Sequence, residues 1–237
     1  STHPLKDTKD LASLAKPDPM LSERMLDRVR AVETYAQAYR GKYSILGWVE
    51  GPAAEAADLR DVTTFLMDLM DDTEFAAELM DLCLHTAIAF ARDQVEAGAD
   101  TIGIGDAIAS QVDPGTYETL IQPREKRLVR AIQEMGAYTK LHICGNITHL
   151  LPGISDLGID ILDVDHMVDL AAVRATVGDG VVIAGNMDPV SLVKDGSPDQ
   201  IRTAVECAYE TAGGPYMVNA GCEIPSGTPA ANLKALC

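Results

Sequence analysis

The sequence lacks several features that would place the protein in a common class. No apolar run approaches the roughly 20 residues of a membrane-spanning helix, and the N-terminal stretch STHPLKDTKD has no apolar segment typical of a signal peptide. Basic residues are few, since 19 Lys and Arg stand against 36 Asp and Glu, for a formal charge of −17. Nucleic acids and anionic membranes would repel so acidic a chain. We therefore expect a cytoplasmic protein that binds neither.

The cysteines also lack a familiar pattern. Their number is odd, their spacing is wide and no C-x-x-C pair occurs; they are Cys83, Cys144, Cys207, Cys222 and Cys237. Without a secretion signal, such cysteines predict free thiols in a reducing compartment rather than a disulfide scaffold. Cys83 and Cys207 fall in helical segments; Cys207 is expected to face the core, and Cys83 to pack in the core or on a helix surface. Met67, Met70 and Met80 are expected to pack as well.

A strand–helix alternation runs through most of the chain. After a lead-in that ends with a helix over residues 21–39, six apolar runs begin near residues 43, 100, 138, 159, 181 and 216, and a helical segment follows each. The first of these helical segments is predicted over about residues 58–98, with a break at 71–73. Nearly continuous apolar strands that alternate with helices predict a parallel sheet covered on both faces. Six such units fit either an open doubly wound sheet or most of a (β/α)8 barrel.

Polar residues at the ends of the apolar runs favour the barrel, because the carboxyl ends of barrel strands converge on one mouth. The strand-end residues are Glu50, Asp106, His142, Cys144, Asn146, Asp163, Asp165, Asn186, Asp188, Cys222 and Glu223. The phosphate-binding motifs of nucleotide-type open sheets, G-x-G-x-x-G after the first strand and G-x-x-x-x-G-K-[ST], do not occur. We predict an α/β fold in which residues 1–237 form a single partial TIM barrel and residues 1–42 an extended and helical lead-in. Some of the polar residues are expected to be only caps or turns, and Asp188 before Pro189 fits an N-cap.

Three of the strand-end residues have the chemistry of a metal site. His142 and Cys144 are two positions apart on the third strand, so their side chains share a face, and Cys222 ends the sixth strand. One imidazole and two thiolates are typical of a zinc site with an open fourth position. Such a site suits the binding of a substrate thiol and alkyl transfer to sulfur, although hydrolysis by a zinc-bound water stays open. The alternative is a buried histidine and two inert core thiols.

The same strand ends carry motifs that resemble the uroporphyrinogen decarboxylase superfamily. The motifs are VEGP at residues 49–52, GDAIAS at 105–110, LHICGN at 141–146, GNMDP at 185–189 and NAGCEIPSGTPAANLKAL at 219–236. The resemblance begins near residue 43 and implies a (β/α)8 barrel. True decarboxylases of this superfamily have a Gly-His-Gly-Ile motif where this chain reads Gly221-Cys222-Glu223-Ile224. Its cobalamin-dependent methyltransferases carry a zinc-binding His-x-Cys and a distant Cys, which His142, Cys144 and Cys222 match.

The resemblance to this second branch implies a function. It implies methyl transfer from a methylcobalamin-type corrinoid, carried on a small corrinoid protein, to a zinc-bound thiol such as coenzyme M, as part of one-carbon metabolism. Glu50 and Asp106 are predicted as catalytic residues that contact substrate or act as a transient fourth metal ligand, with a turn or cap role as the alternative. Asn146 and Asn186 are predicted as cofactor contacts. Tetrahydrofolate as the acceptor, tetrapyrrole decarboxylation and a non-catalytic corrinoid-binding module remain open.

The sequence also departs from the superfamily. Members usually have about a hundred more residues at the N-terminus, including the first barrel strands, so this chain is expected to hold about six βα units of a barrel truncated at its start. Open sheet edges are normally covered. We therefore expect a homodimer, pairing with strands from another chain, or an inactive piece.

Overall fold

The computed structural model describes residues 3–236, so Cys237 lies outside the described part of the chain. The chain divides into two compact units, which meet in sequence at Lys140 and Leu141. That residues 1–237 form one partial-barrel domain stays a prediction. Every helix in the described residues is too short or too polar to cross a bilayer.

The first unit contains two parallel strands and most of the helical length. Strand β1 (Leu46–Glu50) pairs with β2 (Thr101–Gly105), and Glu50 lies opposite Gly105. The helices are α1 (Glu23–Tyr39), α2 (Pro52–Arg60), α3 (Val62–Asp71), α4 (Thr73–Ala97), α5 (Pro114–Thr116) and α6 (Gln122–Glu134). A π-helical turn, Tyr117–Ile121, separates α5 from α6. Strand β3 (Tyr138–Ile143) contains the sequence boundary between the units.

The second unit continues the alternation. Strand β5 (Val182–Met187) lies between β4 (Ile161–Val164) and β6 (Tyr216–Ala220), and both pairings are parallel. The helices are α7 (Leu151–Ser155), α8 (Leu170–Val177), α9 (Pro198–Ala212) and α10 (Ala230–Leu236). A second π-helical turn covers Pro189–Lys194. Leu162, Val164 and Ile183 are fully buried and form the strand side of the core.

Local sequence signals explain several element ends. Helix α9 starts at a capping box, in which Ser197 and Gln200 each accept the other's backbone N–H. Asp72 caps α4 at the predicted break by accepting the Phe75 N–H. Asp188 accepts the N–H groups of Val190 and Ser191, which confirms the predicted cap.

Two predictions about buried side chains were wrong. Met67 and Met70 are 57% and 82% exposed, whereas Met80 is buried as predicted. The buried face of α3 is formed by Phe65, Asp68 and Leu69, so residues 67 and 70 lie on its outer face. Cys207 is exposed, because α9 buries Ile201, Ala208 and Ala212 on another face. Cys83 is buried, which selects the core over the helix surface, the two positions expected for it.

The first helical segment starts earlier than predicted. Helix α2 begins at Pro52 rather than near residue 58, because the proline occupies a first-turn position where its missing N–H is not needed. A further break follows at Asp61, whose φ of 80° ends α2 and allows α3 to start in a new direction. Neither feature leaves a gap in the apolar pattern of the sequence.

The lead-in is anchored more firmly than its polar composition predicts. Leu5 is fully buried. The buried Arg60 side chain donates to the carbonyl oxygens of Leu5, Lys6 and Thr8, and it forms an ion pair with Asp68 at 2.6 Å. One guanidinium thus ties the lead-in to α2 and α3.

Candidate metal centre and strand-end residues

Three possible metal-ligand atoms, from two segments of the second unit that are far apart in sequence, lie close together. His142 lies in β3, Cys144 follows that strand directly, and Cys222 follows β6. The His142 Nε2 to Cys144 Sγ distance is 3.2 Å, and the two sulfur atoms are 3.6 Å apart. All three donor atoms lie within 4.8 Å of one another. The structure therefore brings together the three residues that the sequence predicted as metal ligands.

The spacing of these atoms fits a tetrahedral zinc ion. Zinc–sulfur and zinc–nitrogen bonds of about 2.3 and 2.0 Å place two tetrahedral sulfur ligands about 3.8 Å apart and a sulfur and a nitrogen about 3.5 Å apart. The observed separations of 3.6 and 3.2 Å are close to these edges. Three protein ligands leave a fourth position for a substrate atom, as in catalytic zinc sites.

His142 is oriented by contacts on its other ring nitrogen. Its Nδ1 lies 3.1 Å from the backbone oxygen of Asp163 and 3.8 Å from that residue's Oδ2. A proton on Nδ1 serves this carbonyl and leaves the Nε2 lone pair directed at the thiols. The Asn219 amide donates to both carboxylate oxygens of Asp163 at 2.9 Å. This arrangement is typical of the outer contacts that fix a metal-binding histidine.

The dipeptide Asp165-His166 lies between the two cysteine segments. Asp165 accepts the N–H of Gly145, the residue after Cys144, at 2.9 Å, and its other oxygen lies 2.7 Å from His166 Nδ1. The backbone at His166 packs against Gly221, where a Cβ would lie only 2.5 Å from the His166 nitrogen. Asp165-His166 thus contacts the neighbours of both cysteines and sets the gap between their segments.

The Cys144 thiol is a poor acid without a cation. Burial, followed by the neighbouring Cys222 thiol, raises its pKa to about 12. Two adjacent thiols cannot both ionise readily, because the second negative charge repels the first. A zinc ion at this point would reverse that balance, since coordination stabilises the thiolate.

The two predicted cofactor contacts make local hydrogen bonds. The exposed Asn146 accepts the Thr148 N–H at 3.0 Å. Asn186 donates to the Val168 oxygen at 2.7 Å and to the Asp165 oxygen at 3.4 Å, so it braces the segment that follows β4. Both residues belong to the second unit with the three ligands.

Glu50 and Asp106 lie in the first unit, in contrasting surroundings. Glu50 accepts the Trp48 indole N–H at 3.1 Å, and partial burial raises its pKa. It lines a cavity of about 560 Å³ together with Trp48, Phe90, Arg24 and Arg28. Asp106 is fully buried and accepts the N–H groups of Ala54 and Ala53 at 2.7 and 3.3 Å, where α2 begins. Asp106 thus caps α2 from the neighbouring strand, and its side chain makes no cap bond to the helical turn Ala107–Gln111 that follows it.

Some side chains that contact the candidate metal centre or lie close to Asp106 were not predicted from the sequence. Asn219, which holds Asp163, sits three residues before Cys222 and carried only a weak signal, because an isolated amide in a strand is common. Glu125 and Tyr117 contact each other beneath Asp106's strand end, with the Tyr117 hydroxyl donating to Glu125. Glu125 lies in an amphipathic helix and is indistinguishable in sequence from an exposed acid.

Comparison with known proteins places this geometry in context. The family model described as uroporphyrinogen decarboxylase (URO-D) matches residues 1–237. The methylcobamide:CoM methyltransferase MtbA of Methanosarcina mazei is 31% identical over 99% of this chain and 68% of its own length. The uroporphyrinogen decarboxylase of Methylibium petroleiphilum is 29% identical over 99% of this chain and 67% of its own length.

A solved structure extends the likeness to the fold. A methyltransferase from Methanosarcina mazei superposes with a TM-score of 0.91 at 27% identity, covering all of this chain and 69% of that one. The match confirms the predicted α/β fold, with six parallel strand–helix units of the barrel type.

Proposed function

The chain belongs to the uroporphyrinogen decarboxylase family, and from that membership we propose that it transfers a methyl group from a methylated corrinoid to a thiol such as coenzyme M. The observation that carries the proposal is the convergence of His142 Nε2, Cys144 Sγ and Cys222 Sγ within 4.8 Å. Relatives named as methylcobamide:CoM methyltransferases supply the donor and acceptor classes. A small corrinoid protein is the proposed partner and the cytoplasm the proposed location.

Two of the three proposed ligands are oriented by their neighbours. His142 presents Nε2 because Asp163 occupies Nδ1, and Asp165 holds the backbone beside Cys144. A bound zinc ion would lower the pKa of an incoming thiol so that it is a thiolate near neutral pH. A methylated corrinoid would supply the methyl group as the second substrate. The thiolate sulfur would form the new S–C bond, the electron pair of the broken cobalt–carbon bond would leave with the corrinoid, and the thiol proton would pass to solvent.

The remaining predicted residues keep proposed roles that differ with their exposure. Glu50 is the proposed substrate contact, since its carboxylate lines an open cavity. Asp106 is fully buried, so any part it has in the reaction is to position its surroundings. Asn146 and Asn186 are proposed cofactor contacts at the strand ends of the second unit.

Metal content and thiol-dependent demethylation test the proposal. We expect about one zinc per chain, lost in Cys222→Ala and retained in the matched Cys207→Ala variant, whose thiol is exposed. Zinc-loaded protein should convert methylcobalamin to the demethylated corrinoid only when a thiol is added. A zinc-loaded protein that leaves methylcobalamin unchanged with every thiol and with tetrahydrofolate would contradict the proposal.

Tetrapyrrole decarboxylation is the second candidate. Relatives named uroporphyrinogen decarboxylase support it, at 27–29% identity. Decarboxylation would require no ligand at Cys144 or Cys222. Loss of carbon dioxide from uroporphyrinogen by metal-free protein would favour this candidate, and tightly bound zinc at the two cysteines would count against it.

A further inference from the structure

Two carboxyl groups lie buried together in the first unit. Asp106 follows β2 and Glu125 lies in α6, and both residues are fully buried. Each affects the ionisation of the other through a side-chain hydrogen bond, and the negative charge of Asp106 also raises the pKa of Glu125. Burying two negative charges side by side is strongly unfavourable, so the pair requires either a cation or a proton.

The hydrogen bonds of the two carboxyl groups show which oxygen atom lacks a donor. Asp106 accepts two backbone N–H groups, from Ala53 and Ala54. Glu125 Oε2 accepts the Tyr117 hydroxyl. Glu125 Oε1 is buried and has no donor. A carboxylate cannot donate, so the neighbouring Asp106 satisfies this oxygen only if one of the two carboxyls carries hydrogen.

We propose that Glu125 keeps its proton at neutral pH and donates it from Oε1 to the Asp106 carboxylate, so that one proton joins α6 to the end of β2 and the start of α2. The first turn of α2 favours the negative charge on Asp106, because its free N–H groups point at that residue. Every buried oxygen of the pair then has a partner. Glu125 is thereby a positioning residue, which holds Asp106 beneath α2.

The surrounding ionisable groups offer the pair no basic side chain as a counter-charge, so we assign that role to a proton. They are Glu50 of β1, Glu55 of α2, Cys83 of α4 and Tyr117 of the π turn, and all are acids. Burial, followed by the negative charge of Asp106, holds the pKa of Glu125 well above its usual value. Burial likewise raises the pKa of Asp106 to about 7.

The raised pKa values give the pair a defined pH dependence. A carboxyl whose folded pKa exceeds its unfolded pKa stabilises the folded state most at low pH, and that stability is lost as the pH rises through the folded pKa. The melting temperature should therefore fall as the pH is raised from about 5 to about 8. In Glu125→Gln the amide donates to Asp106 without a titrating proton, so the fall should be smaller.

Infrared spectroscopy tests the proton directly. At neutral pH the full chain should show the carbonyl stretch of a buried protonated carboxylic acid that shifts when glutamate carboxyls are labelled with carbon-13. Glu125→Gln should lose this band, whereas Glu134→Gln, an exposed change on the same helix, should keep it. Tyr117→Phe should move the band to higher frequency, since its carbonyl loses a donor.

Three outcomes would overturn the proposal. They are the absence of a protonated carboxyl band in the wild type, a band that responds to aspartate rather than glutamate labelling, and a band that persists in Glu125→Gln. If Glu125→Gln does not fold, the isotope labelling of the wild type and the band shift in Tyr117→Phe still determine whether Glu125 carries the proton. None of these measurements depends on zinc or methyl transfer, so their failure would leave the proposed function standing.

Discussion

At the residue scale, the candidate metal centre depends on side chains that never touch the metal. Asp165 accepts the Gly145 N–H and contacts His166, while Gly221 leaves room for the His166 backbone. The Cys144 and Cys222 sulfur atoms, 3.6 Å apart, are therefore held at a tetrahedral edge before any ion arrives. Such preorganisation raises metal affinity, because the ligands lose little freedom on binding.

Replacing Asp165 tests this arrangement. The backbone N–H groups of Gly145 and Met167 donate to different carboxylate oxygens of Asp165. In Asp165→Asn the amide nitrogen cannot accept, so one of these two N–H groups loses its partner. We expect zinc affinity to fall about tenfold or more, with the ligands still present. Competition with a coloured chelator measures the affinity, and the sulfur-to-metal charge-transfer band of the cobalt form reports the thiolate geometry.

The control for this change is Asp169→Asn. Asp169 is exposed and caps α8 in the same unit, so its loss affects a helix end and not the cysteine segments. Zinc affinity should match the wild type in this control. If Asp165→Asn binds zinc as tightly as the wild type, Asp165 does not position the ligands.

At the element scale, the order of strands and helices was predictable because each strand is an almost unbroken apolar run bounded by polar or glycine residues. The three proposed ligands were found by the same logic, since His142 and Cys144 alternate on one strand and Cys222 ends another. The exposure of Cys207 was not predictable in this way, because it depends on which face of α9 meets the core, and packing between distant elements decides that. The start of α2 was missed for a different reason, since its signal is the single proline Pro52 at the first turn and not a change in the apolar pattern.

The partners of buried polar groups escaped prediction for a related reason. Glu125 and Asn219 look like ordinary surface residues in sequence, and their importance arises from Asp106 and Asp163, which lie 19 and 56 positions away. A single sequence shows alternation along an element but not contacts across elements. Buried pairs of this kind therefore become visible only in the fold.

The anchored lead-in allows a prediction about α2 and α3. Arg60→Met removes the guanidinium that pairs with the buried Asp68 and binds three lead-in carbonyls. Breaking a buried ion pair typically lowers the free energy of unfolding by about 3–5 kcal/mol. Because Lys9 still lies 3.2 Å from Asp68, we expect a decrease near the lower end of that range, about 3 kcal/mol. Urea unfolding measures the loss, and limited proteolysis should detect faster cleavage within residues 3–20.

Two further variants separate charge from packing in this cluster. Arg202→Met breaks an exposed pair with Asp199 and should change stability by less than about 1 kcal/mol. Adding Asp68→Asn to Arg60→Met removes the buried carboxylate that has lost Arg60 and keeps only Lys9, and should restore part of the lost stability. A double variant no more stable than Arg60→Met would mean that the lead-in contacts, rather than the ion pair, account for the effect.

At the scale of the whole molecule, the dominant property is charge. The excess of 17 acids over bases produces repulsion that the few ion pairs do not balance, and the proton proposed for Glu125 relieves it at one buried point only. The remaining acids are mostly exposed, where dissolved ions screen them. Raising the ionic strength should therefore increase the stability of the whole chain.

We expect the melting temperature to rise when sodium chloride is increased from about 20 to about 200 mM, because screening weakens repulsion among exposed acids over distances beyond about 10 Å. Short pairs such as Arg60–Asp68, at 2.6 Å and buried, are screened much less. An increase of about 1 kcal/mol in the free energy of unfolding corresponds to a rise of about 2–4 °C in the melting temperature for a chain of this size. Calorimetry at constant pH measures the shift, and potassium chloride should act equally if screening is the cause. A melting temperature that falls with salt would mean that the attractive surface pairs outweigh the net charge.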